Sequence, residues 1–119
     1  MKNRDLGKLG EEMAAAHLTE KGYRILERNY RCPLGEVDLV ARDGETLVFV
    51  EVKSRSSLAY GYPQEGVTAS KKRKLEQLAV YYMGEKGWKG EQCRFDVAAV
   101  RVGRRNGKLE SIDIITDAF

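Results

Sequence analysis

The stretch from Gly35 to Arg55 places the narrowest limits on how this chain can fold. Its sequence, GEVDLVARDGETLVFVEVKSR, alternates with the two-residue period of a β-strand on both sides of Asp43-Gly44, a pair typical of tight hairpin turns. The predicted hairpin has one apolar face, and charged side chains lie at one end of the other face. These charged residues are Asp38 on the outgoing strand and Glu51 and Lys53 on the returning strand. Placing two acids and an amine together costs folding free energy, so this group suggests that a ligand binds there.

Two registers of this hairpin keep both acids on the polar face. A two-residue turn at Asp43-Gly44 sets Asp38 opposite Phe49, with Glu51 as its diagonal neighbour roughly 7–8 Å away. A four-residue loop instead sets Asp38 directly opposite Glu51. A register between these would send the acids to opposite faces and mix polar groups into the apolar face. We therefore expect Asp38 and Glu51 to share a face.

Length and composition restrict the class of protein. A chain of 119 residues is expected to form one domain, residues 1–119, and its 42% apolar and 33% charged content is that of an ordinary globular protein. No apolar run approaches the ~20 residues of a membrane span, and the N-terminus lacks the apolar segment of a signal peptide. We therefore expect a cytoplasmic protein with no membrane partner. Cys32 and Cys93 have no CxxC or histidine partners nearby, which argues against a zinc site.

The remaining pattern predicts a helix, a three-stranded meander, a second helix and two further strands. The predicted bounds are a helix from a cap at Asn3 or Asp5 to about Lys21, a strand at 23–30, the hairpin, a loop at 56–67, a helix capped by Thr68 or Ser70, and strands at 92–102 and 109–116. The helical crossover makes the third and fourth strands parallel, whereas the hairpins are antiparallel. The expected fold class is therefore α/β, a three-layer α/β/α fold in which helices cover both faces of a mixed five-stranded sheet.

The first helix carries two glycines and an acid at the edge of its apolar arc. Gly7 and Gly10 lower helix propensity, so we expect this helix to approach the sheet closely there. Glu11 lies at the margin of the arc, where its carboxylate can lean over the sheet. A solvated surface acid is the alternative interpretation of Glu11.

Basic residues are concentrated in two runs, although the net charge is only +3. The runs are Lys71-Lys72-Arg73-Lys74, in the first turns of the second helix, and 101–108. Lysines in a first turn oppose the helix dipole, a cost that nucleic-acid phosphate would offset. A solvated basic face is the alternative interpretation of such a run.

Several motifs together resemble a known family. Asp38 followed by Glu51-Val52-Lys53, after a helix with Glu11, resembles the PD-(D/E)XK signature of restriction-endonuclease-like nucleases and is similar to the archaeal Holliday-junction resolvases. More closely, the chain resembles the YraN-like family of small bacterial proteins that are predicted nucleases. The motifs shared with that family are Gly7-x-x-Gly10-Glu11, Asn29-Tyr30, Gly35-Glu36-Val37-Asp38-Leu39, Phe49-Val50-Glu51-Val52-Lys53 and Arg94-Phe95-Asp96-Val97. Val37 stands where the named nuclease motif has proline.

The resemblance implies a role for each residue of the charged group. Asp38 and Glu51 would bind a divalent cation together with the Val52 carbonyl and Glu11, and a set of oxygen ligands favours Mg²⁺ or Mn²⁺. Lys53 would orient or deprotonate the attacking water, so the predicted catalytic residues are Glu11, Asp38, Glu51 and Lys53. Arg55 and the run Lys71, Lys72, Arg73 and Lys74 are the predicted nucleic-acid-binding residues. An ion pair between the two strands is the alternative for the charged group.

The expected function is metal-dependent hydrolysis of nucleic acid, with DNA, including branched or junction DNA, as the substrate. The alternatives are a nucleic-acid-binding or protein-interaction module that retains the fold without turnover, and a protein that acts only within a complex. The resolvases act as two-fold dimers, so a homodimer is one arrangement to expect. We interpret Asp96 as a buried acid paired with Arg94, and Glu36 as a supporting or structural acid.

Overall fold

The computed structural model describes residues 3–56, 69–89, 92–103 and 106–118. In these ranges the helices are α1 (Asn3–Glu20) and α2 (Ala69–Lys86), and the strands are β1 (Arg24–Cys32), β2 (Gly35–Asp43), β3 (Thr46–Ser56), β4 (Cys93–Val102) and β5 (Leu109–Ile115). This is the predicted order of elements. The predicted loop at 56–67 and the cap at Thr68 lie outside the described residues, except that Ser56 ends β3.

The five described strands form one mixed sheet in the order β1-β2-β3-β4-β5. Only the β3–β4 pair among them is parallel, as the helical crossover predicts. The two helices pack on opposite faces, and each covers its own apolar cluster. On the α1 side the buried residues are Ala14, Ala15, Leu18, Leu39, Ala41, Val48, Val50, Ala98, Val100 and Val102. On the α2 side they are Tyr30, Val37, Val40, Leu47, Phe49, Leu78, Ala79 and Tyr82. The predicted three-layer α/β/α class is confirmed.

The two glycines of α1 differ in their surroundings. A Cβ added to Gly10 would lie 2.9 Å from the Cβ of Ser54 on β3 and would overlap the Ser54 hydroxyl. A Cβ added to Gly7 would meet no described atom within 4 Å. The predicted close approach to the sheet is therefore confirmed at Gly10 and wrong at Gly7, one helical turn nearer the N-terminus.

This difference predicts opposite effects for one substitution at two positions of the same helix. We expect Gly10→Ala to destabilise the fold by about 1–3 kcal/mol, since α1 must move away from β3. Gly7→Ala removes a flexible residue from a helix without a clash, so we expect a gain of up to about 1 kcal/mol. Urea unfolding of both variants measures the difference. Changes of the same sign and size would contradict the close packing of α1 on β3.

The hairpin turn lies one residue later than predicted. Asp43 pairs with Thr46, so the two turn residues are Gly44 and Glu45. Gly44 has a φ of 61°, which suits the first position of a tight hairpin turn. Phe49 therefore pairs with Val40, and the predicted pairing of Asp38 with Phe49 is wrong.

Continuing this register past its last pair, Leu39 with Val50, sets Asp38 level with Glu51. The structure thus has the strand register predicted for a four-residue loop, although the turn itself has only two residues, Gly44 and Glu45.

The alternation of β2 is interrupted beside Asp38. Strict alternation would place Val37, Leu39 and Ala41 on one face. Val37 instead packs in the cluster under α2 together with Val40, whereas Leu39 and Ala41 face α1. Asn29 of β1 lies between the partners of Val37 and Leu39 and has a φ of 53°, which is left-handed. A left-handed residue disturbs the regular pleat of a strand pair. The period-2 pattern therefore fails at the position where the charged group begins.

Candidate active site

Asp38 lies at the fork where β2 and β3 separate. The described pairing of these strands ends at Leu39 and Val50, while β3 continues along β4 as far as Ser56. The Asp38 carboxylate lies in the resulting gap, where its Oδ2 accepts a hydrogen bond of 2.7 Å from the Val52 backbone N–H. The side chain thus satisfies a buried donor beyond the end of the β2–β3 ladder.

Three acids from three elements meet at this fork. Burial raises the pKa of the Asp38 carboxyl to about 6, and the hydrogen bond from Val52 opposes that rise. Glu11 on α1 and Glu51 on β3 raise this pKa further, since nearby negative charges disfavour another one. The three acids predicted to converge are therefore close enough to affect one another.

Glu51 has unequal surroundings at its two carboxylate oxygens. Its Oε1 lies 2.5 Å from the Lys71 Nζ and 3.4 Å from the Lys53 Nζ. Its Oε2 is buried and has no hydrogen-bond partner among the described residues. A buried carboxylate oxygen without a partner costs free energy, so Glu51 is poised to bind a further cationic or hydrogen-bonding group.

The pKa values of the two lysines beside Glu51 are shifted in opposite directions. Burial lowers the pKa of Lys53, and the neighbouring Lys71 lowers it further, although Glu51 acts in the opposite sense. Burial also acts to lower the pKa of Lys71, but its hydrogen bonds with Glu51 and Lys53 raise that pKa above its ordinary value. A lysine with a lowered pKa is better suited to accept a proton at neutral pH.

The chain is similar to other proteins along nearly its whole length. The model of a family described as "Uncharacterised protein family UPF0102" matches residues 10–100. The chain belongs to this family. A UPF0102 protein of Moorella thermoacetica is 51% identical over 119 residues, which cover 100% of this chain and 98% of the relative. Another, of Syntrophus aciditrophicus, is 50% identical over 113 residues, which cover 95% of this chain and 87% of the relative. The YraN-like membership predicted from the motifs is confirmed.

Among solved structures, the UPF0102 chain is similar to "The structure of Pyrococcus Furiosus SfsA in complex with Ca2+". The TM-score is 0.45 and the sequence identity 18%. The match covers 97% of this chain and 62% of that chain, so the UPF0102 chain spans less than two thirds of that protein's length.

The acids of the UPF0102 site reach the fork from both faces of the sheet. Asp38 and Glu51 line a cavity on the α2 side, so their predicted placement on one face is confirmed. Glu11 lines a separate hollow on the α1 side together with Arg55. Arg55 is exposed near the end of β3, and its role in nucleic-acid binding stays a prediction.

The residues of the predicted nucleic-acid-binding run on α2 differ in their surroundings. Lys71 is half-buried against Glu51, and Lys74 lines the cavity that Asp38 and Glu51 also line. Lys72 and Arg73 are exposed and do not line that cavity. Lys71 and Lys74 are three residues apart and therefore lie on one side of the helix. The buried residues of α2 include Leu75 and Leu78, which lie four residues after Lys71 and Lys74, so helical periodicity places both lysines on the side that faces the sheet.

The predicted metal ligands are not arranged as a complete coordination site in this structure. Within the described ranges, no group of three or more histidine, cysteine, aspartate or glutamate side chains is arranged to hold a metal ion. Asp38 is turned toward the Val52 N–H, and Glu51 is turned toward two ammonium groups. The donor set still fits a hard divalent cation, because it consists of carboxylates and includes the unpartnered Oε2 of Glu51.

Other features agree with structural interpretations. Glu36 is exposed and forms a 3.0 Å ion pair with Arg31. Asp96 is fully buried and bound by Arg94, as predicted. Both cysteines are free thiols. No helix of the described chain is long and apolar enough to cross a membrane.

Proposed function

We propose that this UPF0102 chain is a metal-dependent endonuclease that hydrolyses DNA phosphodiester bonds, including those of branched or junction DNA. The observation that supports this most directly is the buried, unpartnered Oε2 of Glu51, next to Asp38 and two lysines. A purely structural ion pair accounts only for Oε1 of Glu51, which contacts Lys53 on the same strand and Lys71 on α2.

Each residue of the site has its own role in the proposed reaction. Asp38, Glu51, Glu11 and the Val52 carbonyl would hold Mg²⁺ or Mn²⁺, which when bound neutralises the scissile phosphate and acidifies a water molecule. The Val52 N–H binds Oδ2 of Asp38 and so fixes this carboxylate at the fork. Lys53 has a lowered pKa and lies 3.4 Å from Glu51, where it can take a proton from the attacking water.

A second candidate is a nucleic-acid-binding module without turnover. It is favoured by the contact of Lys71 with Glu51, because an ammonium group already neutralises a predicted ligand. The basic side chains of α2 would then bind phosphate while the acids serve only to position the lysines.

Cleavage of a panel of DNA structures separates these two functions. Linear duplex, single-stranded, flapped and four-way-junction DNA are incubated with the protein and Mg²⁺ or Mn²⁺, with a chelator as the control. Products that require metal and are lost with Lys53→Ala support the nuclease. DNA binding without products on any substrate would support the module instead. A cytoplasmic location and a homodimer remain predictions, and gel filtration with and without junction DNA measures the latter.

The Lys71–Glu51 contact predicts competition between an ammonium group and a divalent cation. We expect Lys71→Gln to tighten Mn²⁺ binding by about tenfold, because the charge beside Glu51 Oε1 is removed and charges at such distances interact by about 1–4 kcal/mol. Calorimetric titration measures the affinity without turnover. Lys72→Gln removes an equal charge from the exposed next position and is the matched control. Equal tightening in both variants would show that only the net charge matters.

A further inference from the structure

The cavity beside Glu51 is larger than a metal site requires. It encloses about 220 Å³ between α2 and the connection from β1 to β2. Its apolar lining includes Leu34, Val37, Leu75 and Leu78. The last three are buried, but the side chain of Leu34 is 47% exposed, so an apolar wall reaches the surface at the mouth.

The charged residues that line the same cavity lie at positions different from those of its apolar lining. Asp38 and Glu51 lie where β2 and β3 separate, and Lys71 and Lys74 lie on α2. The exposed Glu36 also lines the cavity, which therefore combines an apolar compartment, three acids and two amines suited to binding phosphate.

The possible occupants make different use of this lining. A metal ion and its water would use the acids but leave the apolar walls uncovered. An apolar side chain of a protein partner would use the walls but leave Lys74, which pairs with no acid among the described residues, without an anion. A nucleotide has both an apolar planar base and a phosphate, and so matches both parts.

We propose that this cavity holds one nucleoside of an unpaired strand, with its base against Leu34 and Val37 and its phosphate at Lys71 and Lys74. The inference rests on the proposed function in so far as the ligand is a nucleic acid, and it adds which part of that nucleic acid the site selects. A base inside a duplex is stacked and paired, and removing it costs a few kcal/mol; that cost is smallest for a strand already single or mismatched. Strand ends, flaps and junction centres, where bases are unpaired, are therefore the preferred substrates.

The test compares strands that differ only in their bases. Fluorescence anisotropy is measured at low ionic strength with a chelator present, so that no turnover occurs, using labelled oligothymidylate and an abasic oligonucleotide of equal length and charge. We expect the wild-type protein to bind oligothymidylate about tenfold more tightly than the abasic strand. Binding by phosphates alone would give equal affinities, and that result would overturn the inference.

A matched pair of variants assigns the base preference to this cavity. Leu34→Gln replaces its exposed apolar wall and is expected to reduce the preference to about twofold. Val80→Gln makes the same kind of change on α2, at a side chain that is 67% exposed and lines a different hollow with Arg73 and Glu76. It should keep the wild-type preference. Both positions are exposed, and thermal unfolding checks that both variants are folded.

The outcomes separate this inference from the nuclease proposal. A base preference that survives Leu34→Gln overturns the cavity assignment, even if the protein cleaves DNA. A base preference that Leu34→Gln abolishes supports the assignment, even if no DNA substrate is cleaved. Failure to bind either strand overturns the inference, while metal-dependent cleavage in the panel would still support the nuclease.

Discussion

Glu51→Gln is expected to lower the rate of metal-dependent DNA cleavage by about 10³-fold or more, while the protein remains folded. The variant keeps the size of the side chain but removes the negative charge that would bind the divalent cation, and such a charge cannot be replaced by an amide. The amide oxygen of glutamine can still accept hydrogen bonds from Lys53 and Lys71 at the position of Oε1, and thermal unfolding checks that the variant is folded. Single-turnover cleavage and calorimetric Mn²⁺ titration measure the two consequences together.

Glu36→Gln is the matched control for this change. Glu36 lines the same cavity, but its carboxylate is 63% exposed and pairs with Arg31 instead of the lysines. We expect its cleavage rate and Mn²⁺ affinity to remain within about threefold of wild type, since exposed ion pairs contribute little. If the Glu51 and Glu36 variants lost equal activity, the loss would reflect the general acidity of the cavity. If neither lost activity, the proposed metal site would be wrong.

Asp96→Ala is expected to destabilise the fold by about 3–5 kcal/mol, which is a large share of the stability of a domain this size. Asp96 is fully buried on β4, and its two oxygens accept hydrogen bonds of 2.9–3.2 Å from the Arg94 guanidinium. It also accepts a 2.9 Å hydrogen bond from the Asp117 backbone N–H. Arg94 in turn donates to the Tyr23 hydroxyl at 2.8 Å, so the acid anchors a guanidinium that connects β4 to the start of the meander. Its removal leaves a partly buried positive charge without its main partner.

Asp113→Ala on the adjacent strand β5 is the matched control. Asp113 is exposed and lies opposite Ala99 in the β4–β5 pair. We expect a change within about 0.5 kcal/mol, as is usual for surface positions. Urea unfolding followed by circular dichroism measures both variants. A loss below about 1 kcal/mol for Asp96→Ala would show that the Arg94 network is dispensable, and Asp96 would then have to be considered for function.

The polar face of the hairpin was predictable because strand periodicity is a local property. Side chains two residues apart share a face whatever the rest of the fold does, so Glu51 and Lys53 had to lie together. The register was less certain, because both Asp43-Gly44 and Gly44-Glu45 have the chemistry of a tight turn. The pairing of Asp43 with Thr46 decided between them and set Asp38 level with Glu51.

Prediction from the pattern failed where two elements from distant parts of the chain meet. Val37 leaves the expected face next to Asn29 of the neighbouring strand, whose left-handed conformation no pattern within β2 reveals. Lys71 was predicted to bind nucleic acid, but its contact with Glu51 depends on how α2 docks on the sheet.

The sequence alone determined the order of elements, the α/β class, the family and the set of charged residues, because these follow from periodicity, turn residues and motifs within short stretches. The tertiary structure decided which side of the sheet each charge occupies, which oxygen of Glu51 is left without a described partner, and that the acids border an apolar cavity. The physical reason is that burial and charge pairing arise between elements, where helix docking brings together side chains that are far apart in the chain. The chemistry of this site depends on those longer-range contacts.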